Sequence, residues 1–169
     1  DVTFSGNSAD HGGGMSLDES SPTLTNVTFS NNTADGTEYE SGGGGMSLEY
    51  SNPTLTNSII WDNSPESIYI DPGEPTITYS NIEGDTTWTG EGNINTDPLF
   101  CDPDNGDFTL AANSPCVGTG QDGDNMGAYG IGCYNLPDDE SPVVNIDQLV
   151  ESVGTSDTLT VNWIASDNL

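Results

Sequence analysis

Of 169 residues, 31% are apolar and 21 are glycine, a composition too poor for a broad globular core but sufficient for a solenoid whose coils each bury a narrow strip. The chain carries 28 Asp and Glu and no Lys or Arg, for a net charge of −28, where average usage would supply roughly 20 basic side chains. Such a surface has no cation with which to displace the counterions of phosphate or anionic lipid, which excludes nucleic acid and electrostatic membrane docking; it attracts cations and stays soluble in salt.

Read from its first residue, the chain repeats itself. The run Val2-Thr3-Phe4-Ser5-Gly6-Asn7-Ser8-Ala9-Asp10 returns as Val27-Thr28-Phe29-Ser30-Asn31-Asn32-Thr33-Ala34-Asp35, 25 positions on. Gly13-Gly14-Met15-Ser16-Leu17 returns as Gly44-Gly45-Met46-Ser47-Leu48, and Pro22-Thr23-Leu24-Thr25-Asn26 as Pro53-Thr54-Leu55-Thr56-Asn57, both 31 positions on. The longer spacing implies an insertion near Gly36 to Ser41, a corner that grows a loop. A degenerate third copy runs from Ser58-Ile59-Ile60-Trp61-Asp62-Asn63 to Pro75-Thr76-Ile77-Thr78-Tyr79. A fourth begins at Ser80-Asn81-Ile82, 22 positions after Ser58.

Each period holds three short alternating runs broken by Gly, Asn, Ser or Pro, hence three strands per turn. A strand that returns at this interval pairs in parallel with its own next copy, and no helical period competes. Stacking then predicts an internal column of Phe4, Phe29, Ile60 and Ile82. It also aligns Asn7, Asn32 and Asn63 as a structural ladder bonded through side-chain amides, with Asn26 and Asn57 as a second aligned pair.

The Phe-x-x-Asn pattern (Phe4 to Asn7, Phe29 to Asn32) followed by a Gly-Gly-x-apolar step resembles the repeats of polymorphic outer-membrane autotransporter proteins. More widely, residues 1 to 84 resemble right-handed parallel β-helix proteins of the pectate-lyase type, although Gly-Gly-Met departs from the usual Gly-Gly-Ala. The resemblance implies an all-β fold and a secreted, bacterial-type protein. It does not specify an activity, because the architecture hosts lyases, hydrolases, adhesins and inert stalks.

Residues 90 to 133 change in texture. Gly92-Asn93-Ile94 and Asp97-Pro98-Leu99-Phe100 resemble the closing coil of secreted bacterial β-helices, so this segment is expected to cap the open end of the solenoid, with Phe100, Phe108, Leu110, Met126 and Tyr129 as covering side chains. Three cysteines, Cys101, Cys116 and Cys133, suggest one bridge and one leftover thiol; Cys101–Cys116 is the expected pair and Cys116–Cys133 the alternative. An acidic, proline-bracketed linker follows at 134–142. Residues 143–169 then look like the opening of an immunoglobulin-like sandwich, too short to bury both of its faces. The whole reads as a monomeric piece of a longer multidomain chain, since Asp1-Val2-Thr3-Phe4 resembles the inside of a repeat.

Several constellations could carry chemistry. Lyases resembling this fold commonly abstract a proton with Arg or Lys; this chain has neither. A hydrolase needs only two carboxylates, and Asp62, Glu66, Asp71, Glu74 and Glu83 fall on coils three and four. Catalysis is not expected, because carboxylates this abundant form pairs by chance. The lone His11 and the cysteine spacing give no zinc site, and a single His without a nucleophile elbow gives no triad.

Asp102, Asp104 and Asp107 alternate around Gly106 and are a candidate calcium set, although Asp-Asn-Gly is equally good turn chemistry. Tyr50, Trp61, Tyr69 and Trp88 are candidate stacking platforms for sugar rings, Trp61 facing outward where the previous coil has Ser30. Ice or mineral binding would want a regular Thr array, and Thr23-x-Thr25 with Thr54-x-Thr56 supply two ranks. The resulting expectation is a non-catalytic, extracellular or cell-surface scaffold, adhesin or polysaccharide-binding stalk. It requires no cofactor, with calcium as the one candidate, and a polysaccharide or cell-surface glycan as partner. The alternative is a fragment of a glycoside-hydrolase-type enzyme.

Overall fold

The computed structural model describes residues 1–36 and 42–134. The chain divides into two units, Asp1–Leu136 and Pro137–Leu169. The insertion loop from 37 to 41, the linker at 134–142 beyond Tyr134, and the sandwich-like tail at 143–169 lie outside the described residues.

The first coil holds β1 (Val2–Ser5), β2 (Ser8–Ala9), β3 (Met15–Asp18) and β4 (Thr23–Thr25). The second holds β5 (Val27–Ser30), β6 (Thr33–Ala34), β7 (Met46–Glu49) and β8 (Thr54–Thr56). The third holds β9 (Ile59–Trp61), β10 (Ile68–Ile70) and β11 (Thr76–Thr78), and the fourth opens with β12 (Asn81–Ile82). Like strands stack in parallel as β1-β5-β9-β12, β3-β7-β10 and β4-β8-β11, the three faces of a parallel β-helix, while β2 and β6 add a short pairing at one corner.

The registers are those of the repeat. Phe4 pairs with Phe29, Phe29 with Ile60 and Ile60 with Ile82, forming one internal column. Met15-Met46-Ile68, Leu17-Leu48-Ile70 and Leu24-Leu55-Ile77 form the others. The Thr pairs gain a third rank, Thr76 and Thr78 standing in register with Thr54 and Thr56.

Two devices turn the chain at its corners. Asn26, Asn57 and Tyr79 all adopt φ near +50°, as do Asn31 and Asp62, the left-handed conformation that Asn and Asp tolerate best among residues with a Cβ. At a second corner, Asn7 donates from Nδ2 to Asn32 Oδ1 (2.9 Å), and Asn32 donates from Nδ2 to Asn63 Oδ1 (2.9 Å). Asn32 Nδ2 also reaches Phe4 O, and Asn63 Nδ2 reaches Phe29 O. A Cβ on Gly45 would stand 2.5 Å from Ser67 O of the next coil. The Gly-Gly step is therefore required by coil-to-coil backbone approach.

The C-terminal segment does not cap the solenoid's end as the sequence suggests. Its strands β13 (Phe100–Asp102), β14 (Asp107–Ala111) and β15 (Ile131–Cys133) form a separate mixed sheet. Phe100, Phe108, Leu110, Cys116 and Met126 pack on Ile59, a β9 residue adjacent to inward-facing Ile60 and so directed outward, and Trp61 and Ile94 pack against that cluster. The segment thus lies along the outer flank of the β1-β5-β9-β12 sheet. Ala128 N donates to Thr28 Oγ1 (3.0 Å) and Gly127 N to Asn57 O (2.8 Å). Flank docking wins because Thr28 and Ile59 make that outer face partly apolar, so it too must be covered. Tyr129 remains 47% exposed and covers nothing.

The cysteine pairing also differs from expectation. The bridge joins Cys101 to Cys133, with Cα atoms 5.9 Å apart. Cys116 is a fully buried free thiol that accepts a hydrogen bond from Asn81 Nδ2 at 3.2 Å. Cys116 faces the second core, whereas Cys101 and Cys133 sit on strands that flank β14. The bridge closes a long loop and stabilises the segment by about 3 kcal/mol.

Burial raises the Cys116 thiol to about 11, against hydrogen bonds from Asn81 and Ser114 that favour the thiolate. The unfolded thiol ionises more readily than the folded one, so this group's contribution to stability is intact below about pH 9 and is lost as pH rises towards 11. Iodoacetamide at pH 8.5 should label no cysteine in the native protein and Cys116 alone after unfolding in urea without reductant. Native labelling at the rate of a free thiol would overturn this placement.

Candidate ligand cleft on the third coil

The third coil breaks the repeat where it matters. In register with Gly43, Gly44 and Gly45 of the second coil stand Pro65, Glu66 and Ser67, because Met46 pairs with Ile68. Glycine is needed in coil two because coil three stacks against it; strand β10 ends its sheet, so coil three is free to carry side chains there. After Ile82 the chain continues into Glu83-Gly84-Asp85-Thr86-Thr87, turn-forming residues without apolar alternation, in place of another strand over β10. It rejoins the stack at Ile94, which bridges in parallel to Asn81. On the way, Trp88 folds back and packs against the solenoid core.

The missing strand leaves a cleft of about 540 Å³, within the range of small-molecule sites. Ile68 and Trp88 supply its apolar surface; Glu66, Ser67, Glu83, Asp85 and Thr86 supply its polar surface, with Asn63 and Pro65 at the side. The Asn63 amide is already engaged with Phe29 O and Trp61 O, and Glu83 Oε2 accepts from Asp62 N at 2.7 Å. Ser67 is 7% exposed and its Oγ has no hydrogen-bond partner. No cation offsets the three carboxylates, since the chain has no Lys or Arg.

The expected aromatic platform is distributed over separate places. Trp88 lines the large cleft. Tyr69 lines a smaller one of about 130 Å³ with His11, Ser16, Ser47, Glu49 and Asp71. Tyr50 stands alone at a corner, 61% exposed. Trp61 does pair with Ser30 and face outward, but the flanking segment half covers it. Of the carboxylates on coils three and four, Glu66 and Glu83 reach the large cleft and Asp71 the small one. Burial raises the Asp62 carboxyl above its ordinary range, helped by the negative fields of Asp97 and Asp104.

The three aspartates of the calcium candidate are held in their own turn. Both Asp102 oxygens accept from Asn105 Nδ2, at 3.0 and 2.9 Å. Asp107 Oδ1 accepts from Thr109 N and Oγ1, and the Thr109 hydroxyl bond is the main cause that lowers its carboxyl below the usual range. Among the described residues, no three His, Cys, Asp or Glu side chains gather as a metal would require.

Sequence reasoning reached Trp88, Glu66 and Glu83 but missed Ser67 and Asp85. The signal was available: the Gly pair that precedes Met15 and Met46 is replaced before Ile68, and after Ile82 no such step follows. Compared with curated proteins and with solved structures, the chain finds no match. The family model for the right-handed beta helix region matches residues 1–94, more than half of the 169 residues, and with the stacked parallel registers this places the chain in the right-handed β-helix family.

Proposed function

We propose that this β-helix is a non-catalytic extracellular or cell-surface scaffold that holds a polysaccharide in the cleft of its third coil. The observation that carries this reading is the cleft itself, where an indole and Ile68 stand beside hydroxyl and carboxylate groups. Saccharides present the complementary surface, C–H faces that pack on aromatic rings and a rim of hydroxyls that need acceptors. The Cys101–Cys133 bridge suits an oxidising compartment.

A panel of polysaccharides scored for both pull-down and release of reducing ends tests the reading. Binding without cleavage is expected, and Trp88→Ala should weaken it about tenfold or more, in line with loss of a buried aromatic contact. Retained binding in that variant, with folding verified by circular dichroism, would remove the cleft from consideration. A hydrolytic reading has one observation in its favour, that Glu66 and Glu83 line the same cleft. Reducing ends released by the protein and abolished in Glu83→Gln would establish that reading instead.

A further inference from the structure

We infer that the cleft selects uncharged sugar units, with the Ser67 hydroxyl as its anchoring hydrogen-bond group; this rests on the saccharide reading above. Two independent observations meet at the site. The first is Ser67, 93% buried by its 7% exposure, whose Oγ lacks a partner although it lines the cleft. A buried hydroxyl with no partner is costly, and a ligand hydroxyl placed against it recovers that cost on binding. Ser67 is also the residue that takes the glycine position of coils one and two, so its side chain is present only on the coil that has open space above it.

The second observation is charge. Glu66, Glu83 and Asp85 face one cleft in a chain without a single Lys or Arg. A ligand hydroxyl donates to a carboxylate favourably. A uronate carboxylate or a sulfate in the same place meets three like charges beside the low-dielectric wall of Trp88 and Ile68, and pays repulsion with no compensating cation. The site is therefore selective by exclusion as well as by contact, and salt should soften the exclusion without creating affinity.

The test uses pairs of polymers that share one backbone: polygalacturonate and alginate, each beside its own carboxyl-reduced neutral product, with a panel of neutral glucans, mannans and xylans. Binding to the whole chain is read by Trp fluorescence at low salt in the presence of chelator. At least one neutral polymer should bind, and each acidic parent should bind at least tenfold more weakly than its reduced product or that polymer. Ser67→Ala should lower neutral affinity several-fold and leave the ratio unchanged, whereas Glu66→Gln with Asp85→Asn should shrink the ratio. Acidic polymers bound as tightly as neutral ones would overturn the charge selection while leaving a saccharide site. Neutral affinity unmoved in Ser67→Ala would remove the anchor, and a panel with no binder at all would sink the saccharide reading and this inference together.

Discussion

Phe29→Ala should cost about 4 kcal/mol of unfolding free energy, the range for truncating a fully buried aromatic. Phe29 is 0% exposed, stacks on Phe4 with ring centroids 4.9 Å apart and planes at 8°, and continues into Ile60 and Ile82 below. The site cannot collapse around the smaller side chain, because the neighbouring walls are sheet backbone held by coil-to-coil hydrogen bonds. Gly14, whose added Cβ would stand 2.8 Å from the Phe29 ring, shows how closely that backbone already approaches. Urea unfolding followed by circular dichroism measures the loss. Phe4→Ala, at a half-buried position, should cost about half as much by the same area argument. Equal losses at the two positions would mean that stacking depth does not set the stability of a rung.

Asn32→Ala tests the polar counterpart and should also cost about 4 kcal/mol, from four side-chain hydrogen bonds at about 1 kcal/mol each. Asn32 Oδ1 accepts from Asn7 N and Nδ2, and Asn32 Nδ2 donates to Phe4 O and Asn63 Oδ1. Alanine removes all four and leaves Phe4 O without that donor and Asn63 Oδ1 with only the Asn32 backbone N–H. Asn7→Ala, at the exposed end of the ladder, should cost less than half of that, because water replaces its partners. The measurement is again urea unfolding. A loss below about 1 kcal/mol for Asn32→Ala would make the ladder an alignment of residues without energetic consequence.

Both predictions concern the part of the molecule that was most legible in the sequence. Val27, Phe29, Leu48 and Leu55 alternate with polar neighbours, and each recurs at the interval of one coil, so strand, face, register and column all followed from spacing. Side-chain direction in a strand has a period of two, which leaves no freedom once one residue of each run is assigned to the core. The Asn ladder was legible for the same reason, since equivalent corners of equal coils must coincide.

The cleft was only half legible. Glu66, Glu83 and Trp88 were candidates for different roles, scattered among other acidic and aromatic residues. What unites them is the absence of a strand over β10, which depends on where the fourth coil leaves the stack. Ser67 carried no motif at all; its importance comes from an unpaired hydroxyl, and pairing is a property of neighbours distant in sequence. The same limit produced the two errors. Trp61 and Thr28 face outward as their alternation requires, yet are covered, and Cys101 pairs with Cys133 across the sheet rather than with the nearer Cys116.

The sequence by itself determined the solenoid, its three faces, its internal columns and the exclusion of polyanionic partners, because local periodicity and net charge do not depend on how distant segments meet. The tertiary structure decided where residues 98–133 dock, which cysteines join and where the cleft opens. Those outcomes depend on which apolar flank is left uncovered and which backbone edge is left unstacked, and both are fixed only when segments far apart in the chain compete to bury the same surface.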